Sequence, residues 1–93
     1  MDYDALRSAG AAALLVYADG IAQAKGVALK ARVWDNGNPL SSTGEHTLAL
    51  ETRTLSVTRG VDDTQLIAVG LGQDDRGARS TVREMIAELA AEK

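Results

Sequence analysis

The second half of the chain alternates apolar and polar residues over short segments and then changes to helical spacing. In residues 47–51 leucines alternate with smaller or polar residues, and in 54–59 Leu55 and Val57 share one face. A period of two places one face of a strand on a core and the other toward water. Residues 66–71 are apolar on both faces, which predicts a third, better buried strand over 65–71. Short connections make these strands antiparallel neighbours.

Turn residues separate these predicted strands. Thr52 and Arg53 predict a tight turn between the first two, and Gly60 with Asp62-Asp63 predicts a second turn before residue 65. The last segment then predicts an amphipathic helix with its core at 81–91. It opens with a capping-box pattern from Thr81 to Glu84. Its apolar side chains form one stripe at spacings of three and four: Val82, Met85, Ile86 and Leu89.

The N-terminal third allows two interpretations. A long helix over residues 4–31 is favoured by the alanine content and by aspartates at positions 2 and 4 that can cap it. A hairpin is the alternative, with strands at 13–17 and 21–25 around Asp19-Gly20, which is a strong turn signal. The helical interpretation gives a narrow seam at alternating spacings of three and four: Leu14, Tyr17, Ile21, Ala24, Ala28 and Ala31. Residues 35–44 follow as turn chemistry throughout.

Together these segments predict a single α+β domain over residues 1–93. It contains a long N-terminal helix, a three-stranded antiparallel sheet and a C-terminal amphipathic helix. A chain of 93 residues buries a modest core. Such chains recover stability through disulfides, metals or oligomers, and this one has no cysteine. We therefore expect this chain to gain stability by oligomerisation.

Charge and composition narrow the function classes. The net charge is −3, and the ten basic residues are scattered, which opposes a nucleic-acid role. Three aromatic residues supply no stacking platform for bases. The longest apolar run, 11–18, is far shorter than the roughly 20 residues of a membrane span. Acidic residues replace the positive start of a signal peptide. We expect a soluble cytoplasmic protein without membrane insertion.

The residue patterns predict no catalytic, cofactor or metal site. Residues 35–45 lack the acidic middle ligands of a calcium loop. His46 starts a strand without a nearby serine–acid arrangement, and we expect a strand-edge residue rather than a base. The acidic pairs 62–63 and 74–75 would lie at opposite ends of the third predicted strand, over roughly 20 Å apart. Trp34 and Tyr17 are the candidate contact aromatics, with core packing favoured over an interface role.

With these elements assigned, residues 46–93 (HTLALETRTLSVTRGVDDTQLIAVGLGQDDRGARSTVREMIAELAAEK) resemble the second half of Roadblock/dynein-light-chain domains. In that family, two strands, a Gly/Asp turn and an apolar strand are followed by a polar loop and a closing amphipathic helix. The preceding DALRSAGAAALLVYADGIAQAKG resembles the alanine-rich central helix of the family. The helix and hairpin that open a complete Roadblock domain have no full counterpart here. The resemblance is to a shortened, Roadblock/longin-like member.

The resemblance implies a non-enzymatic homodimer that regulates or scaffolds a small GTPase, with central helices packed together and sheets joined at their edges. An open three-stranded sheet and a seam of small residues favour such pairing independently. Two alternatives stay open: a small domain sensing an anion or nucleotide at residues 74–79, and a structural protein such as a phage assembly component. The predicted interface residues are Leu14, Tyr17, Ile21, Ala24, Ala28, Leu55 and Val57.

Overall fold

The computed structural model describes residues 2–41 and 44–91. These residues form a long N-terminal helix, an antiparallel sheet of three strands and two further helices, so the predicted α+β class is confirmed. The order is α1 (Tyr3–Ala24), β1 (Ala31–Trp34), the 3-10 turn η1 (Asp35–Gly37), β2 (Glu45–Glu51), β3 (Ser56–Asp62), α2 (Asp63–Gly70) and α3 (Arg76–Ala91).

The N-terminal third is a helix and not a hairpin. Asp2 caps α1, and its Oδ1 accepts a hydrogen bond from the backbone N–H of Ala5 at 3.1 Å. The helix ends at Ala24 and not at residue 31, since Gly26 then takes a φ of 70°. A positive φ stops a right-handed helix, and glycine adopts it without steric cost.

The sheet has the order β1-β2-β3, with both pairs antiparallel. The predicted segments 47–51 and 54–59 lie largely within β2 and β3. The predicted tight turn joins them, and the Thr52 N–H donates to the Leu55 carbonyl at 2.8 Å. Gly60, predicted at a turn, instead lies inside β3 opposite Thr47. The strand missed by the sequence is β1, which pairs Trp34 with Leu48.

The prediction of a third strand at residues 65–71 is wrong, because most of these residues belong to α2. The side-chain Oε1 of Gln65 accepts from the backbone N–H of Asp62 at 3.0 Å, which is half of a capping box at the start of this helix. A short apolar run has no periodicity that separates a buried strand from a buried helix. The cap, three residues ahead of the run, decides for the helix.

The final helix begins earlier than predicted. Asp75 accepts a hydrogen bond from the backbone N–H of Ala78 at 2.8 Å, so the cap of α3 lies just before Arg76. Thr81, the predicted cap, is inside the helix, where its Oγ1 donates to the Gly77 carbonyl at 3.0 Å. The predicted apolar stripe is confirmed, since its four side chains are buried: Val82, Met85, Ile86 and Leu89.

The core lies between one face of the sheet and the helices. α3 packs against β2 and β3, and α1 packs against α2 and α3. The predicted packing role of Trp34 is confirmed: its ring is buried, and its Nε1–H donates to the Ala11 carbonyl at 3.1 Å. The other sheet face carries exposed Thr47, Thr58 and Gly60.

Two glycines let α1 and α2 touch through their backbones. A Cβ at Gly10 would lie 1.8 Å from the Leu66 carbonyl oxygen, and one at Gly70 would lie 2.0 Å from the Leu6 carbonyl oxygen. The contact is reciprocal, because each helix presents a glycine to a carbonyl of the other. Any larger residue at either position has to push the helices apart.

We expect Gly10→Ala to lower the free energy of unfolding by roughly 1–3 kcal/mol, because the added methyl overpacks the α1–α2 contact. Gly20→Ala is the matched control in the same helix, since a Cβ at Gly20 meets nothing within 4 Å. That control should gain up to about 1 kcal/mol from helix propensity alone. Urea unfolding of both variants measures the difference; equal shifts in the two would contradict the close packing.

Candidate functional site

The most unusual feature of the interior is a buried histidine. His46 is the second residue of the central strand β2, and its side chain is fully buried. The expectation of a strand-edge residue is therefore wrong. The alternation of β2 turns position 46 toward the helices together with Leu48 and Leu50. Nothing local in the sequence distinguishes this histidine from an exposed one.

Both ring nitrogens of His46 face carboxylates. Nδ1 lies 2.8 Å from Oδ2 of Asp35, and Nε2 lies 2.7 Å from Oδ1 of Asp63. An ionised carboxylate only accepts hydrogen bonds, so a ring that satisfies both must carry a proton on each nitrogen. Burial opposes the charge, but the hydrogen bonds that His46 donates to Asp35 and Asp63 outweigh it and raise the pKa of His46. The arrangement fits an imidazolium.

Asp63 is shared between this imidazolium and a buried arginine. Arg7 of α1 donates through Nε to Oδ1 of Asp63 and through Nη2 to Oδ2 at 3.0 Å. Such a two-point pair is among the stronger charge-assisted contacts. The hydrogen bond from Arg7, aided by that from His46, outweighs burial and lowers the pKa of Asp63 to about 2. Asp4 meets the remaining side of the guanidinium through Nη1.

Asp35 closes the cluster from η1. Its Oδ1 accepts the backbone N–H of Thr47 at 2.8 Å while its Oδ2 meets His46. Asp35 and Asn36 have φ values of 50° and 57°, in the left-handed region that costs a residue with a side chain about 1 kcal/mol or more. We call these five groups the ion cluster: Asp4, Arg7, Asp35, His46 and Asp63.

The ion cluster is built for holding elements together rather than for acid–base chemistry on a substrate. It joins α1, η1, β2 and α2, whose sequence positions are far apart. The ring of His46 has neither a vacant nitrogen nor exposed surface. Among residues 2–41 and 44–91, no group of three or more potential ligands is arranged to hold a metal ion.

The two acidic pairs are closer than the sequence predicts. Because residues 63–70 form a helix that rises about 1.5 Å per residue, the expected separation of over 20 Å is wrong. Gln65 bridges the two ends, accepting from the N–H of Asp62 and donating from Nε2 to Asp75 at 3.2 Å. The bridge is structural, since it couples the starts of α2 and α3.

The loop considered for anion binding is occupied by its own side chains. The Asp75 carboxylate caps the start of α3. Arg79 pairs with Asp74 at 3.1 Å and lies over the ring of Tyr17, 5.0 Å from its centroid. An anion there would have to displace a carboxylate from the helix end that attracts it.

The structure divides the predicted interface residues into three groups. Leu14 and Val57 are buried in the core. Tyr17, Ile21 and Leu55 are partly buried and pack against it. Ala24 and Ala28 are exposed, and Ala28 lines a shallow apolar groove with Val27 and Leu89. The predicted α1 seam therefore faces the protein's own interior over most of its length and does not lie on one surface.

The opposite side of α1 carries an exposed row of small side chains without charge. Val16, exposed by 70%, is its largest member. We call it the outer row, and every member is exposed: Ala5, Ala9, Ala13, Val16, Gly20 and Ala24. Of this row the sequence predicted only Ala24 at an interface, because apolar spacing alone does not say which of two alanine-rich faces meets the core.

By length and composition, α1 could also cross a membrane. A third of its most apolar window is buried inside the fold. The inner face includes Arg7 and packs on α2 and α3. Core helices of folded proteins pass the same test of length and apolarity.

Comparison with known proteins gives no relative: no family model, curated protein or solved structure matches the chain.

We expect Asp63→Asn to lower the free energy of unfolding by about 3 kcal/mol or more, since it removes the anion that the buried Arg7 and His46 share. The matched control is Asp19→Asn, which breaks the exposed pair with Arg32 (3.3 Å) and should cost less than about 1 kcal/mol. Chemical unfolding of the two variants makes the comparison. Similar losses would show that the ion cluster is no stronger than a surface pair.

Stability should depend on pH in two opposite ways. The pKa of Asp63 is lowered to about 2 from 3.8, so its contribution is complete above pH 3.8 and is lost as the pH falls toward 2. The pKa of His46 is raised above 6.5, so its contribution is complete below 6.5 and is lost as the pH rises through the folded value. Melting temperature against pH should therefore peak between these limits. In His46→Gln the alkaline decline should disappear; its persistence would contradict the assignment.

Proposed function

We propose that this chain is a non-catalytic interaction module that forms a homodimer through the outer row of α1. The observation that carries the proposal is an exposed, uncharged, small-residue face along a helix of 22 residues, roughly 33 Å long. Helices with small residues at their contact approach closely and pack over a long interface. The other side of α1 is already used by the protein's own core.

The spacing of the outer row favours an antiparallel pair. Its successive gaps are four, four, three, four and four residues, so the row reads the same from either end. A twofold axis midway along α1 sets Ala9 against Gly20 and Ala13 against Val16 of the second copy. Such a patch is self-complementary, which a twofold interface requires. Antiparallel helices also align their dipoles favourably.

Gly20 supports a close approach at this face. It lies within α1, has no positive φ, and a Cβ there would meet nothing within 4 Å. In the single chain it therefore costs about 1 kcal/mol of helix propensity without any compensating contact. A neighbouring helix packed against this position gives the missing side chain a role, as Gly10 has against α2.

The ion cluster supports a folded, soluble setting for α1. Arg7 lies one turn inside the helix and is held by Asp63. Moving α1 into a bilayer would remove its inner face from the core and separate these charges. We therefore propose a cytoplasmic protein in which α1 pairs with a second α1 rather than with lipid.

The further partner follows from the Roadblock resemblance alone, which implies a small GTPase. The bare sheet face, with Thr47 and Thr58 exposed in its middle, stays free in an α1-paired dimer. We propose this face for the additional partner, so that the dimer acts as a scaffold. Charged substitution of Thr58 should then weaken the partner's binding and leave the dimer intact.

The dimer is tested by sedimentation velocity at micromolar concentration. We expect the unmodified chain to have twice the mass of one copy, and Val16→Asp to have the mass of one. The Val16 side chain is 70% exposed, so circular dichroism of the variant should be unchanged. If the unmodified chain has the mass of one copy, the proposed dimer is contradicted.

Two leucine substitutions distinguish close helix packing from nonspecific hydrophobic association. Gly20→Leu should keep the fold, because the site is open, but hold two helices apart and raise the dissociation constant at least about tenfold. Ser8→Leu adds the same side chain to an exposed position of α1 outside the outer row and should leave the dimer unchanged. If Gly20→Leu dimerises as well as Ser8→Leu, the interface lies elsewhere.

A further inference from the structure

We infer that His46 is a buried proton switch. Its imidazolium holds η1 against α2, and loss of the proton releases η1 while the helices stay folded. The inference concerns a single chain and does not depend on the dimer. It rests on two carboxylates that bracket one ring, Asp35 at 2.8 Å and Asp63 at 2.7 Å.

A neutral imidazole cannot keep both contacts. It has one N–H and one lone pair, so one of the two carboxylates would face a lone pair with its own negative charge. In a buried setting that repulsion is weakly screened. Deprotonation of His46 must therefore break one of the two hydrogen bonds between its ring and the carboxylates.

The hydrogen bond that breaks is the one to Asp35. Asp63 is held independently by two donors of Arg7 and by its place in the first turn of α2, and its backbone N–H donates to the Gly44 carbonyl at 3.1 Å. Among the described residues, the Asp35 carboxylate accepts one other hydrogen bond, from the N–H of Thr47, and the Asp35 backbone is left-handed. The remaining proton stays on Nε2 with Asp63, and Nδ1 turns its lone pair toward Asp35.

The surrounding charges favour the protonated ring at neutral pH. Asp35 meets the ring from η1 and Asp63 meets it from α2, while β3 faces His46 with Val61. From α1, Arg7 pairs with Asp63 and with Asp4. Three carboxylates and one guanidinium leave an excess of negative charge, which a proton on His46 reduces. The raised pKa of His46 agrees with this balance. The switch therefore opens on the alkaline side of the ordinary histidine range.

A built-in reporter lies beside the moving part. Trp34 directly precedes Asp35, is the only tryptophan in the sequence, and is tied to α1 through the Ala11 carbonyl. Release of η1 frees the residue that follows Trp34 and the N–H of Thr47. Both changes are local, because the α1–α2 contact at Gly10 and Gly70 does not involve His46.

The experiment follows the full-length protein from about pH 5 to about pH 9. Nitrogen NMR of His46 should show N–H on both ring nitrogens at the acid end and loss of the Nδ1 proton above pH 6.5. Over the same step, Trp34 fluorescence should change and the Thr47 amide should lose about tenfold in protection after correction for intrinsic exchange. Amides in the middle of α1 should keep theirs.

Asp35→Asn is the matched variant. Its side-chain oxygen still accepts from Thr47, while its N–H₂ donates to the neutral Nδ1, so η1 should stay closed with the neutral ring and the opening at alkaline pH should vanish. For the wild-type chain three results each overturn the inference: an unprotonated Nδ1 at pH 5, loss of the Nδ1 proton with unchanged Thr47 protection, or simultaneous loss of protection in α1. These readings decide the matter even if the variant folds poorly.

Discussion

The carboxylate of Asp63 is the contact on which this small fold depends. It accepts from Arg7 of α1 and from His46 of β2, and it stands in the first turn of α2. One side chain thus connects three elements separated by up to 56 positions in sequence. Buried charges are costly unless paired, so each element is held to the geometry that satisfies the others. The cluster supplies the specificity that a core with one tryptophan and no phenylalanine cannot obtain from large aromatic shapes.

The close approach of α1 and α2 determines what α1 can offer to other molecules. With Gly10 against a carbonyl of α2, and Leu14 and Ala18 in the core, the inner face is fully committed. The exposed side of α1, which includes the outer row, is left for contacts. This division explains why an interface prediction built on the Leu14–Ile21 seam selects residues that the protein itself buries. A helix rich in alanine has two faces of similar polarity, and tertiary packing decides between them.

Elements with a clear period were predictable, and those without were not. The alternation around Leu48 and Leu55 located two strands, and the stripe from Val82 to Leu89 located α3, because both patterns extend over several repeats. The apolar run from Leu66 has the composition of a buried strand, although Asp62 and Gln65 ahead of it form a helix cap. β1 has only four residues and no alternation beyond them. The ion cluster has no local signal, since its members come together only when four elements pack.

The ion cluster and the outer row have opposite characters: the cluster is charged and mostly buried, and the outer row is uncharged and exposed. Buried charges contribute little net stability, because desolvation offsets their attraction, yet removing one partner is costly. A domain held this way depends on every member of the cluster being in place. The protonation of His46 biases the same folded form. Since η1 follows Trp34, whose indole donates to the Ala11 carbonyl of α1, the ion cluster and α1 belong to one connected core.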